Sequence, residues 1–136
     1  MTTLDDTRTG LAQAVVNAAI DNLPATHVTA YPPSQLVAPA VYVDMPRIYV
    51  GDIGTLADWP IVAVADGDDW AQMTALDNTV AVLWDTFNAV DGWEVADASP
   101  IPKDVGGPQL RGYQLTVTTF LTLDVLCPSL STLATV

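Results

Sequence analysis

The sequence has few basic residues. It contains four lysine and arginine side chains against 16 aspartates and glutamates, so its formal net charge at pH 7 is -12. Nucleic-acid binding depends on contacts from Lys and Arg to phosphates, and four cations cannot form a broad basic face. An anionic membrane surface repels such a chain for the same reason. The charge therefore argues against autonomous binding to nucleic acids and to anionic membranes.

Cysteine and histidine each occur once. The single Cys127 excludes an intramolecular disulfide, and the single His27 excludes zinc motifs that need two histidines. A catalytic cysteine needs a nearby base, and these two residues are far apart in the sequence. We expect Cys127 to be a small, largely buried side chain and His27 to lie at the start of a strand.

Two short motifs resemble binding loops but fail their patterns. The cluster from Asp66 to Asp69 has Ala71 where an EF-hand loop needs its glycine, so helix capping explains these aspartates better. The stretch Gly51-Asp52-Ile53-Gly54 lacks the Gly-Lys-Ser/Thr ending of a phosphate-binding loop. With no Gly-x-Ser-x-Gly motif either, we expect no catalytic, cofactor-binding or metal-binding residues and no enzymatic activity.

Long hydrophobic runs are also missing, although half of the 136 residues are hydrophobic. No run of 18 apolar residues can form a transmembrane helix, and the N-terminus lacks the basic and apolar segments of a signal peptide. We therefore expect a protein made in a cytoplasm, without a membrane partner. The length and the mean hydropathy of +0.31 are typical of one globular domain with a hydrophobic core.

Hydrophobic periodicity predicts two helices, over residues 3–23 and 69–90. In the second helix apolar residues recur every three or four positions, which predicts a buried stripe. Its members are Trp70, Met73, Leu76, Val80, Leu83, Trp84, Phe87 and Val90. The opposite, exposed face is expected to carry Gln72, Asp77, Asn78 and Asp85.

Alternating or continuous apolar runs predict five strands. They cover residues 27–31, 40–43 with a continuation over 47–50, 59–65, 93–96 and 112–126. Residues 51–56 and 97–108 are expected to be loops. This order predicts a single α+β domain over residues 1–126, with a mostly antiparallel sheet of four to five strands and both helices on one face. Residues 127–136 carry no charge and are either an arm that docks on a partner or a frayed end.

The order of elements and one passage resemble a known family. A helix is followed by Tyr31-Pro32-Pro33 and then by Pro39-Ala40-Val41-Tyr42-Val43, before an apolar strand, a long helix and a long final strand. This arrangement resembles the tail terminator proteins, which complete the neck of long-tailed bacteriophages.

The resemblance implies a structural virion protein. Members of this family form a ring, typically a hexamer, that caps the tail tube, ends its polymerisation and presents a surface to the head. The implied partners are copies of the chain itself, the tail tube protein and a head-neck connector protein, with no cofactor. DNA would pass through the acidic ring without specific binding, because like charges repel.

A head-to-tail ring needs two different complementary patches on each subunit. The expected interface residues are the four cations, one tryptophan beside a strand and two leucines of the uncharged arm: Arg8, Arg47, Lys103, Arg111, Trp59, Leu130 and Leu133. Three alternatives stay open at this point. They are another neck protein (a head-completion or stopper protein), a small acidic enzyme or ligand-binding domain, and an acidic inhibitor that mimics DNA.

Overall fold

The structure, a computed structural model, describes residues 4–51, 54–65, 69–101 and 111–121. Within these ranges the chain forms two helices, a short 3-10 turn over Ala25–His27 and six strands. The elements in chain order are α1 (Leu4–Asn17), β1 (Val28–Thr29), β2 (Ala40–Val43), β3 (Arg47–Gly51), β4 (Gly54–Val64), α2 (Asp69–Asn88), β5 (Trp93–Ile101) and β6 (Gly112–Leu121). The expected α+β class is confirmed.

The six strands form one sheet that is antiparallel except at one edge. Its order is β1-β2-β4-β6-β5, and β1 pairs with β2 in parallel. β3 pairs with the first half of β4, whereas β2 pairs with the second half. Since β6 occupies the other edge of β4 along nearly its whole length, β2 and β3 follow one another along the same edge. The sheet thus has six strands rather than four or five, because β3 counts as a strand of its own.

Both helices cover the same face of the sheet. Leu11 and Val15 of α1 and Leu83 and Phe87 of α2 join one buried cluster with the inward-facing residues of β2, β4, β5 and β6. α1 packs against β1 and β2, whereas α2 packs against β4, β5 and β6. The opposite face of the sheet has no helix on it among the described residues.

β4 and β6 form the centre of the core. Trp59 is 0% exposed, and its indole Nε1–H donates to the hydroxyl of Thr119 on β6 at 3.0 Å. Buried residues of β6 alternate with more exposed ones from Leu115 to Leu121, as the sequence predicts. The second half of β4, residues 61–64, is buried on both faces, which confirms its predicted central position. Residues 122–126, expected to extend β6, lie outside the described residues.

The first helix is shorter than predicted. It ends at Asn17 instead of continuing to Leu23, because Ala19 and Asn22 have positive φ values of 51° and 64°. A left-handed residue cannot continue a right-handed helix. The turn places Ile20 in the core at 6% exposure, so burial of this side chain accompanies the early end of the helix.

Two predicted loops belong to the sheet. Residues 51 and 54–56 are part of the β3–β4 hairpin, in which Gly51 pairs with Gly54. Gly54 has a φ of 138°, a conformation that favours glycine. Residues 97–101, also predicted as loop, extend β5 along the free edge of β6 after an irregularity between Val95 and Asp97. An edge strand tolerates Pro100, since its missing N–H need not pair with a neighbour.

Candidate assembly surfaces

The second helix exposes a row of large apolar residues on one flank. Trp70 is 79% exposed, Met73 is 49% exposed and Trp84 is 38% exposed. Asp77 lies on the same flank and is also exposed, since residues three, four or seven apart share one side of a helix. We call Trp70, Met73, Asp77 and Trp84 the α2 stripe. The prediction that Trp70, Met73 and Trp84 belong to the core was therefore wrong.

A buried glutamine accompanies this orientation of α2. Gln72, predicted to lie on the exposed face, is 2% exposed, and its Oε1 accepts the backbone N–H of Arg111 at 2.7 Å. The face that enters the core therefore runs through Gln72, Leu76, Leu83 and Phe87. At about 100° per residue, a helix that buries these positions turns Trp70 to the surface.

A second exposed apolar surface lies on and beside β3. Val50 is 82% exposed, Met45 is 77% exposed and Ile48 is 42% exposed. Of the three arginines that the structure describes, Arg47 alone is exposed, and its guanidinium carbon lies 4.8 Å from the ring centroid of Tyr49. We call Met45, Arg47, Ile48 and Val50 the β3 edge patch. Ile48 and Val50 point to the helix-covered face of the sheet and Arg47 to the helix-free face, so they flank the edge of β3 from both sides. Within the described part of the chain β3 pairs with β4 alone, so its outer backbone edge is open.

The two surfaces lie at opposite sides of the molecule. Met73 and Asp77 line a cavity of about 180 Å³ together with Pro100 and Ile101 of β5, which places these two members of the α2 stripe at the β5 side of the sheet. β3 borders the other side, beyond β4 and next in line after β2. Each subunit therefore carries two different apolar surfaces, which lie toward opposite edges of the sheet.

A polar network on the helix-free face fixes the beginning of the β3 edge patch. The Tyr49 hydroxyl donates to Asp58 Oδ1 at 3.1 Å, and the Thr118 hydroxyl donates to the same oxygen at 2.8 Å. Partial loss of hydration and the hydrogen bond to Asp58 raise the pKa of Tyr49. These contacts join β3, β4 and β6, so the ring under Arg47 is held in place.

Arg8, predicted at an interface, is engaged inside the subunit. Its Nη1 donates to the backbone carbonyls of Ala30 and Val43, each at 2.9 Å. Its guanidinium carbon also lies 4.6 Å from the ring centroid of Tyr31 and 5.3 Å from that of Trp59. The Tyr31 hydroxyl in turn donates to Asp5 of α1. Arg8 therefore connects α1 to β2 and to the segment after β1.

The other predicted interface residues fall into three groups. Trp59 is fully buried, so the prediction that it lies at an interface is wrong. Its side chain packs in the core and joins β4 to β6. Arg111 lies beside the α2 stripe, in the same cavity as Met73. Lys103, Leu130 and Leu133 lie outside the described residues, and so does the uncharged segment 127–136.

The described residues carry little that suggests chemistry. His27 Nδ1 lies 2.9 Å from the carbonyl oxygen of Pro39, as part of the packing between β1 and β2. Across residues 4–51, 54–65, 69–101 and 111–121 no group of His, Cys, Asp and Glu is arranged to hold a metal ion. In the same ranges neither helix combines the length and the apolar character needed to cross a bilayer. A cavity of about 340 Å³ beside α2 is lined mainly by alanines and other apolar residues.

Comparison with known proteins identifies the fold. No family model matches the sequence, and no curated protein matches it significantly. Among solved structures, a chain from the "virion of native gene transfer agent (GTA) particle" matches with a TM-score of 0.53. The two sequences are 14% identical, and the match covers 82% of this chain and 91% of that chain. Nearly the whole of that virion chain therefore shares the α+β fold described above.

Proposed function

We propose that this protein is a structural component of a virion, without enzymatic activity. The observation that carries the proposal is the fold shared with a chain of a gene transfer agent virion over most of the length of both chains. The two exposed apolar surfaces support it, because large apolar side chains left in water are typical of proteins that assemble with partners.

We infer more specifically that the protein is a tail terminator, which forms a ring on the end of the tail tube and presents a surface to the head. The resemblance of the Tyr31-Pro32-Pro33 and Pro39–Val43 passages to that family supports this role. So does the presence of two unlike surfaces on opposite sides of the subunit, since head-to-tail contacts close into rings when the rotation between subunits allows it.

The proposed partners are further copies of the chain in a hexameric ring, the tail tube protein and a head-neck connector protein. The net charge of -12 supports a passive role toward DNA, which would cross an acidic ring without binding to it. Replacing the aspartates that face the lumen with lysine is expected to slow DNA ejection. Unchanged ejection would contradict this part of the proposal.

Electron microscopy of particles assembled without this protein tests the proposal. A terminator stops polymerisation of the tube and supplies its joint to the head, so its loss is expected to give overlong tails without heads. Normal infectious virions would refute a virion role. Tails of normal length beside unjoined heads would instead indicate a head-completion or stopper protein, and co-purification with the portal rather than the tail tube would identify that case.

A further inference from the structure

We propose that the α2 stripe of one subunit docks on the β3 edge patch of the next subunit, and that this contact closes the ring. This contact rests on the proposed ring, and the partner of the α2 stripe is a second copy of the chain. Both surfaces consist of large apolar side chains that the folded subunit leaves in water: Trp70, Met73 and Trp84 on one side, Met45, Ile48 and Val50 on the other.

The first argument is the placement of the two surfaces. A twofold contact brings the same patch of two subunits together, whereas a ring contact joins two different patches. Met73 and Asp77 of the α2 stripe lie beside β5, at one side of the sheet. The β3 edge patch lies at the other side, along the open edge of β3. A row of subunits in one orientation therefore presents the stripe of each subunit to the patch of its neighbour.

The second argument is charge complementarity. Copies of a chain with a net charge of -12 repel one another, so a contact between them benefits from a cation on one side. The β3 edge patch carries Arg47, whose side chain is exposed. The α2 stripe carries the exposed Asp77 between Met73 and Trp84. Arg47 and the apolar Ile48 flank the open edge of β3 from opposite faces of the strand, so a helix that lies along this edge would contact both. An Arg47–Asp77 pair at this contact would fix the register of the two subunits.

The third argument is the open backbone of β3. Its outer N–H and C=O groups have no strand beside them in the described part of the chain, although Val50 and Ile48 make this edge strongly apolar. Exposed apolar edge strands invite association, and proteins normally shield them. A neighbouring helix that lies across the edge would shield it without adding a strand.

Site-specific cross-linking in assembled particles tests the contact. The background is Cys127→Ser, which removes the single cysteine, and Val50→Cys and Met73→Cys are then introduced together. With a short bismaleimide we expect covalent oligomers that reach the full ring. Particles with Met73→Cys alone are expected to give no covalent dimer. The matched control pairs Val50→Cys with Gln13→Cys on the exposed side of α1, and it is expected to remain monomeric.

Each result distinguishes between possible partners of the α2 stripe. A dimer from Met73→Cys alone would show a twofold contact and overturn the proposal. Cross-linking no stronger than in the Gln13→Cys control, in particles that contain the protein, would also overturn it while leaving the terminator role intact. Cross-linking that appears only after removal of residues 127–136, in a chain that still enters particles, would assign the α2 stripe to the uncharged arm instead.

Charge exchange gives an independent readout. Arg47→Asp places two acids in the contact, and Asp77→Arg places two cations there, so each is expected to reduce cross-linking at least tenfold. The double variant restores opposite charges and is expected to recover most of it. Cross-linking in both single variants as strong as with Arg47 and Asp77 in place would show that these two residues do not face each other, and would overturn the proposed register. A wrong assignment of the function would be seen in a different experiment: normal virions would form without the protein.

Discussion

The two flanks of α2 are similar in sequence but opposite in environment. Leu83 and Phe87 are 0% exposed and join the core, whereas Trp70 is 79% exposed and Met73 is 49% exposed on the neighbouring flank of the same helix. Apolar residues that continue around a helix beyond what one sheet can cover are available for a second contact. The difference indicates that one flank of α2 stabilises the subunit and that the other is suited to bind a partner.

The largest effect is expected on the buried flank. Phe87→Ala removes a fully buried ring that packs near Trp93, so the free energy of unfolding should fall by about 3–5 kcal/mol. Urea denaturation measures this change. Trp70→Ala is the matched control on the exposed flank. A comparable loss of stability in Trp70→Ala would contradict the assignment of the two flanks.

A second comparison separates two arginines. Arg8 donates to two backbone carbonyls inside the subunit, so Arg8→Met should lower the free energy of unfolding by about 1.5–3 kcal/mol. Arg47→Met removes an exposed side chain and should change stability by less than about 0.5 kcal/mol. Thermal unfolding of the two variants side by side checks this difference. If Arg47→Met is the more destabilising, Arg47 belongs to the fold and not to an interface.

The buried glutamine gives a smaller effect. Gln72→Leu keeps the apolar contacts of the side chain but deprives the Arg111 backbone N–H of its acceptor. An unsatisfied donor costs about 1–3 kcal/mol, and chemical denaturation measures the loss. Gln13→Leu, on the exposed side of α1, serves as the control with the same chemical change. An equal response of both variants would mean that Gln72 does not set the rotation of α2.

The smallest effect on stability is expected on the exposed flank. Trp70→Ala should alter the free energy of unfolding by less than about 0.5 kcal/mol, since most of this ring is in water in the isolated subunit. Its circular dichroism spectrum and its melting temperature should match those of the unsubstituted protein. A large drop in melting temperature would show that Trp70 packs within the subunit, and would remove it from the α2 stripe.

Much of the fold follows from periodicity in the sequence. The position of α2 agrees with the prediction to within two residues at its end, and β2 and the alternation of β6 are as expected. These elements have regular patterns because each presents one consistent face to the core. The elements that were mispredicted lack such a pattern. β5 continues through Asp97 to Ile101 because β6 offers a free edge, which no local signal shows.

The exposed surfaces were harder to predict than the core. A periodic row of apolar residues on α2 gives no indication of which members a sheet will cover. The rotation is tied to Gln72, and a glutamine that will be buried is not distinguishable in sequence from one on the surface. The sequence predicts Arg47 as a cation available for pairing, and its side chain is exposed. The sequence does not indicate its apolar neighbours Met45, Ile48 and Val50 as interface residues, because a short run of β-branched and apolar residues is typical of a buried strand.

Tail length in particles is the most direct test of an assembly role for the exposed flank. The test variant combines Trp70→Ala, Met73→Ala and Trp84→Ala, and the control combines Gln13→Ala and Asn17→Ala, which are exposed on α1. Both chains should fold. If the α2 stripe joins the subunits of a terminator ring, electron microscopy will show overlong tails for the triple variant and normal tails for the control. Tails of normal length joined to heads in the triple variant would contradict the account.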